Sequence, residues 1–146
     1  MKANKVDHIS IAVRNLDGAR KIWEPILGKT APDDSYVDDR EKIRVVRYRL
    51  AGVAFELMES TTPDGPVAEW IGAHGEGVMV VSFAVDDTGQ AINELESKGY
   101  PVIADRRGEK KRPFRGGHFV FVHPKKMNGV LLELIDARGD EGCTKQ

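Results

Sequence analysis

The sequence predicts an α+β fold made of two copies of one βαβββ unit, and three observations predict it. First, Asp7-His8-Ile9-Ser10-Ile11-Ala12-Val13 is echoed by Met79-Val80-Val81-Ser82-Phe83-Ala84-Val85, each alternating at the period of a strand. Second, an amphipathic segment follows each strand, and Ala19 and Trp23 of the first recur as Ala91 and Leu95 of the second. Third, each copy ends in two strand-like stretches joined at a turn: Ile43 to Leu50 and Val53 to Glu59 around Gly52, then Phe119 to Val122 and Val130 to Ile135 around Pro124 to Gly129.

In the first strand Asp7, Ile9, Ile11 and Val13 share one face, while Val6, His8, Ser10 and Ala12 share the other. The bulky face is expected to meet a helix. Asn15 or Asp17 can cap that helix, which runs through Ile26 and stops near Gly28, with Pro25 distorting its last turn. A short strand near Lys29 then leads into the first strand pair. Residues 61–76 form a connector that opens with the turn Pro63-Asp64-Gly65 and holds a short helix from Pro66 to Ala73. In the second copy Asp86 or Asp87 caps a helix through Lys98 that stops at Gly99, and a short strand near Val102 precedes the last pair. The units cover about 5–60 and 77–136 of a single domain, 1–136, whose two open, curved sheets share one cavity. Residues 137–146 have little to bury and read as a flexible tail.

Bulk composition excludes several classes of function. With 146 residues and 40% hydrophobic content, the chain can bury roughly two-thirds of its unfolded surface, enough for one core. A formal charge of -1, from 22 basic and 23 acidic residues, gives no overall field toward nucleic acid or an anionic membrane. Cys143 is the single cysteine, so there is neither a disulfide framework nor a thiolate metal site. No apolar run approaches the ~20 residues that span a bilayer, and Met1 to Lys5 runs into a strand without the apolar core of a signal peptide. The expectation is a cytoplasmic protein with a small-molecule partner.

Three side chains stand out against these patterns. Glu133 lies inside Val130-Leu131-Leu132-Glu133-Leu134-Ile135, where both alternating faces are apolar, and Glu56 sits similarly inside Val53-Ala54-Phe55-Glu56-Leu57-Met58. Each glutamate follows its turn glycine, Gly52 or Gly129, at the same offset, so the two occupy equivalent positions. Burying either as an unpaired charge costs several kcal/mol or more, so each needs a partner. His8, on the small-residue face of the first strand, offers an imidazole. One imidazole and two carboxylates make an O/N-rich set that a divalent cation would suit. The alternatives are a core histidine satisfied by a backbone group, and glutamates paired with Arg or Lys or held protonated. His74 is expected to be exposed in the connector and His123 to belong to a turn, while the direction of His118 depends on register.

The spacing of Asp7-His8-Ile9, Phe55-Glu56-Leu57, Gly75-Glu76-Gly77 and Leu131-Leu132-Glu133-Leu134 resembles the vicinal oxygen chelate superfamily over nearly the whole chain before the tail. Within it, His123-Pro124-Lys125 followed by Gly129-Val130-Leu131 looks most like the methylmalonyl-CoA epimerase branch, with glyoxalase I the next relative. The resemblance implies a divalent metal (cobalt, nickel, manganese or zinc) held by His8, Glu56 and Glu133, and a homodimer. The fourth ligand of that pattern is a histidine, and here the position is Val80, which ligates nothing. Three readings follow: a site closed by water, a site completed by His118 or His123, or no metal.

The implied reaction removes a proton from the carbon beside a thioester carbonyl and returns it on the opposite face. Such an inversion needs two acid/base groups flanking the carbon and positive charge or donors at the enolate oxygen. Glu133 matches one base, and Asp39 or Glu41, in the segment before Ile43, matches the other. The chain's strongly basic segment, Arg106 to Gly117, offers Lys110, Lys111 and Arg112 to the phosphates of coenzyme A. The bland reading of that segment is a solvated loop balancing Asp33-Asp34 and Asp38-Asp39. Two further functions share the scaffold: a ligand- or drug-binding protein without catalysis, and a glyoxalase I-like lyase.

Overall fold

The computed structural model describes residues 1–137. The chain divides into two compact units, residues 8–79 and residues 1–7 together with the chain from Val80, a division that falls near the seam between the two predicted copies.

In the first unit β1 (Lys5–Ala12), whose first residues belong to the other unit, leads to α1 (Leu16–Leu27), β2 (Asp34–Asp38), β3 (Ile43–Leu50), β4 (Val53–Ser60) and α2 (Pro66–His74). The strands lie in the order β2-β3-β4-β1, antiparallel except for the parallel β4–β1 pair. Asn15 caps α1, its side chain accepting from the Gly18 N–H at 2.8 Å, and Gly28 ends it in the left-handed region at φ 70°. Pro25 is accommodated within the last turn. As the alternation predicts, the bulky face meets this helix: Ile11, Val13, Val46, Tyr48 and Leu57 pack with Leu16 and Ala19, and Trp23 lies against Phe55. Tyr48 ties the layers together by donating to Glu24 of α1 at 2.7 Å; burial, reinforced by this carboxylate, pushes its hydroxyl well above the ordinary tyrosine range.

The second unit repeats the plan with β5 (Gly77–Ala84), α3 (Thr88–Ser97), β6 (Val102–Ile103), β7 (Arg112–Phe114), β8 (Gly117–Val122), a 3₁₀ turn (Pro124–Lys126) and β9 (Leu131–Ile135). β5 pairs with β9 in parallel, and β9 with β8 antiparallel, while β8 carries both β6 and β7. Asp87 caps α3, and Ala91, Ile92 and Leu95 pack on Val85, Val120, Val122, Leu132 and Leu134.

Two expectations are corrected. The short strand of the first copy is β2 at 34–38, not a segment near Lys29; Lys29 instead reaches Asp33 with its ammonium at 2.8 Å. The basic segment of the second copy, read as a loop, contains β7, because Arg112 to Phe114 can pair with Gly117 to Phe119 across a tight turn. All but the first residue of the predicted tail, 137–146, lie outside the described residues. Among the described residues no helix is long and apolar enough to cross a membrane.

Candidate functional site

The repeat builds the same polar pair twice, once on each sheet face turned away from its helix. Parallel pairing of β1 with β4 sets Ser10 beside Glu56, and parallel pairing of β5 with β9 sets Ser82 beside Glu133. Each serine donates its hydroxyl to Oε1 of its glutamate at 2.8 Å. All four residues are buried. The hydroxyl fixes one carboxyl oxygen of each glutamate in place.

Around the first pair stand two further polar residues. The two-residue turn Ala51-Gly52, both with positive φ, joins β3 to β4 in a tight hairpin, and counting back from it sets Arg47 directly across from Glu56. Arg47 Nη1 lies 3.2 Å from Glu56 Oε2, with side chains only 3% and 2% exposed, so the guanidinium compensates the carboxylate where water does not. Oε2 makes no hydrogen bond, so the pair is held by charge. His8, diagonal to Glu56 across β1 and β4, brings Nε2 to 3.7 Å from Oε1, longer than a hydrogen bond.

Around the second pair the equivalents are apolar. Val80 takes the place of His8, and Phe121, directly across from Glu133, takes the place of Arg47. A cation reaches this face by another route: Arg112 of β7, itself buried, stacks its guanidinium 4.9 Å from the centre of the Phe121 ring and donates to the Ile103 carbonyl at 3.3 Å.

The remaining predicted residues are dispersed. Arg112 is therefore corrected from a member of a solvent-facing phosphate loop to a buried group on the Phe121 ring, because the β7–β8 register puts it on the Phe119 and Phe121 face. Lys110 pairs with Glu96, and Lys111 is exposed. Asp39 is exposed in the β2–β3 turn and Glu41 is half-buried there. That turn leads into Ile43, four residues along β3 from Arg47, about 13 Å at the usual strand rise. His123 caps the 3₁₀ turn, its Nδ1 accepting from the Lys125 N–H at 3.1 Å, and His74 stacks on Trp70 with ring centres 4.1 Å apart. His118 is half-buried and gives its backbone N–H to Asp136 at 2.6 Å.

Asp136 closes the second unit. Its carboxylate also accepts from the Thr88 N–H at 2.8 Å and the Thr88 hydroxyl at 2.9 Å, fastening the start of α3 to the end of β9. Burial pushes this carboxyl upward, but the Thr88 and His118 donors outweigh it and hold the group below its ordinary value. In the first unit Glu59 holds the equivalent place, accepting from the Leu16 N–H at 3.2 Å. A cavity of about 280 Å³ in the first unit, lined in part by Val13, Glu59, Ser60 and Ile71, includes none of the predicted site residues.

Whether these residues fit a divalent ion follows from the donors. An ion ligated to Glu56 at about 2 Å would lie roughly 6 Å from the Arg47 guanidinium, a repulsion of about 5 kcal/mol at an effective dielectric near 20. Among the described residues no group of three or more His, Cys, Asp and Glu side chains is placed to share one ion. The residues present do not fit the four-donor site that the resemblance implies.

Sequence reasoning missed Arg47, the serine donors and the Arg112–Phe121 stack. The signal for Arg47 was present: once Ala51-Gly52 is taken as a two-residue turn, the register to Glu56 follows by counting. Arg112 had no such signal, because β7 is too short to read.

Comparison with known proteins places the chain in context. Residues 7–121 match the family described as the Glyoxalase/Bleomycin resistance protein/Dioxygenase superfamily. The chain is 30% identical over 138 residues to the "Uncharacterized protein YqjC" of Bacillus subtilis, covering 94% of this chain and 96% of that one. It is 28% identical to the "Ethylmalonyl-CoA/methylmalonyl-CoA epimerase" of Cereibacter sphaeroides, over 89% of this chain and 96% of the relative. A solved structure of Streptomyces coelicolor methylmalonyl-CoA epimerase in complex with 2-nitronate-propionyl-CoA superposes with a TM-score of 0.81 at 27% identity, covering 93% of this chain and 96% of the other.

Proposed function

We propose, from the premise that this chain belongs to the Glyoxalase/Bleomycin resistance protein/Dioxygenase superfamily, that it is an isomerase of the methylmalonyl-CoA epimerase type, moving a proton on the carbon beside an acyl-coenzyme A thioester. Epimerases among its relatives and structural neighbours support the reading. The observation that carries it in the chain itself is Glu133, a buried carboxylate whose rotamer is fixed by Ser82 and whose cross-strand neighbour is the apolar ring of Phe121. A buried carboxyl held in one direction suits a group that must take a proton and give it back.

In this reading Glu133 takes the α-proton from one face of the carbon. Inversion requires a second group on the other face, and Glu41, half-buried, is better suited than the exposed Asp39. Lys111, exposed on the segment before β7, is the cation this reading offers to the coenzyme A phosphates, while Lys110 beside it pairs with Glu96. No step is routed through a metal ion. In this reading the small-molecule partner is an acyl-coenzyme A thioester, and the protein is a cytoplasmic homodimer.

The test is proton exchange. Incubated with methylmalonyl-CoA in heavy water, the protein should replace the α-hydrogen with deuterium well above the spontaneous rate, as read by NMR. Glu133→Gln should slow this by about 10²–10⁴-fold, the usual contribution of a general base. No exchange, with or without added divalent ions, would overturn the reading and leave a binding protein on the same scaffold, which the paired Arg47 and Glu56 and the apolar Val80 would also suit.

A further inference from the structure

We infer that the half-site of the first unit is closed by a cation of the protein itself, Arg47 against Glu56, and takes no divalent metal ion. The inference stands on residues within one unit and does not depend on the isomerase reading.

Four facts carry it. Arg47 and Glu56 face each other across β3 and β4, buried, with Nη1 and Oε2 at 3.2 Å. The other carboxylate oxygen is already engaged by the Ser10 hydroxyl at 2.8 Å. His8 is the nearby lone-pair donor, with Nε2 at 3.7 Å from Oε1. The same positions in the repeat offer Val80 and Phe121, which supply neither a ligand nor a charge.

Burying a guanidinium or an ionised carboxylate alone costs several kcal/mol, and a close opposite charge offsets that cost. Arg47 and Glu56 satisfy each other, and a metal ion would have to displace the arginine or be placed close to it. The guanidinium stays charged at every working pH, so the pair cannot be opened to a metal by titrating the arginine. Arg47 is thus a positioning residue: it sets the direction of Glu56, and through that carboxylate the hydrogen bond to Ser10.

The experiment uses the full chain and the metal alone. Calorimetric titration with Mn²⁺ and Co²⁺, together with metal analysis after dialysis, should show no stoichiometric ion in the native protein. Its unfolding midpoint should move by less than about 1 °C between excess Mn²⁺ and EDTA, since only a ligand that binds the folded state raises it. Arg47→Met should gain at least about tenfold in Mn²⁺ affinity and a midpoint that rises with added ion. Arg47→Lys, which keeps the charge, should stay as indifferent to Mn²⁺ as the native chain, a result that loss of packing alone would not give. One tightly held ion per native chain, released by Glu56→Gln, would overturn the inference whether or not Arg47→Met folds. So would a folded Arg47→Met variant that binds Mn²⁺ no better than the native protein.

Discussion

Ser10 with Glu56 and Ser82 with Glu133 are one device built twice, and the difference lies in what surrounds them. In the first unit the carboxylate has an arginine directly across from it and a histidine 3.7 Å away. In the second it has a phenylalanine across from it, with an arginine reaching that ring from a neighbouring strand. The repeat keeps what the backbone needs: the hydroxyl bond, the helix caps at Asn15 and Asp87, and the carboxylates Glu59 and Asp136 that receive the first helical N–H groups. It varies the neighbours: an arginine pairs with Glu56 across β3 and β4, and a phenylalanine ring stands across from Glu133.

The strongest way to break this comparison is to remove the arginine. Arg47→Met leaves Glu56 buried without its guanidinium and should cost about 3–5 kcal/mol in chemical denaturation, whereas Arg47→Met with Glu56→Met should recover most of that loss. The equivalent change in the other unit, Phe121→Leu, should cost only about 1–2 kcal/mol, mostly packing and the Arg112 stack. Equal losses at the two positions would erase the distinction.

Asp136→Asn sharpens the comparison at the next level. Because the folded carboxyl is held below its ordinary value, its stabilising effect is fully present above the unfolded-state value of about 4 and fades as pH falls through the lower folded one. The variant should lose about 1 kcal/mol at neutral pH, the usual worth of such a cap, and lose less of its remaining stability on acidification than the native chain. Unfolding curves between neutral pH and strong acid check both the loss and its sign.

The smallest effect concerns the turns. Both hairpins use two successive positive-φ residues, Ala51-Gly52 in one copy and Asn128-Gly129 in the other. Alanine pays for this conformation and asparagine pays less, so Ala51→Asn should raise stability by about 0.5–1 kcal/mol. No gain in the denaturation midpoint would mean that Ala51 is not strained.

Much of this architecture was legible in the sequence because its signals are periodic. The duplicated strands, both helices with their caps, and the equivalence of Glu56 and Glu133 all follow from alternation and from the positions of Gly52 and Gly129. The neighbours of the glutamates were harder to see. Arg47 is in contact with Glu56 only through strand register, and β7 is a three-residue strand whose pairing turns Arg112 inward. Burial of Arg112 therefore contradicted the polarity of its segment, which averages over side chains that point in opposite directions. Glu41 and Asp39 were readable as acidic residues in a turn, but a turn carries no period from which to infer direction.

The most direct test of the unequal halves is the α-hydrogen exchange of methylmalonyl-CoA in heavy water with EDTA present, measured side by side for the native chain, Glu133→Gln and Glu56→Gln. The native chain should exchange at the same rate as without EDTA, Glu133→Gln should fall by at least about 100-fold as expected for a lost base, and Glu56→Gln should fall far less. Exchange that appears only when a divalent ion is restored, or two glutamine variants that fall equally, would contradict the account.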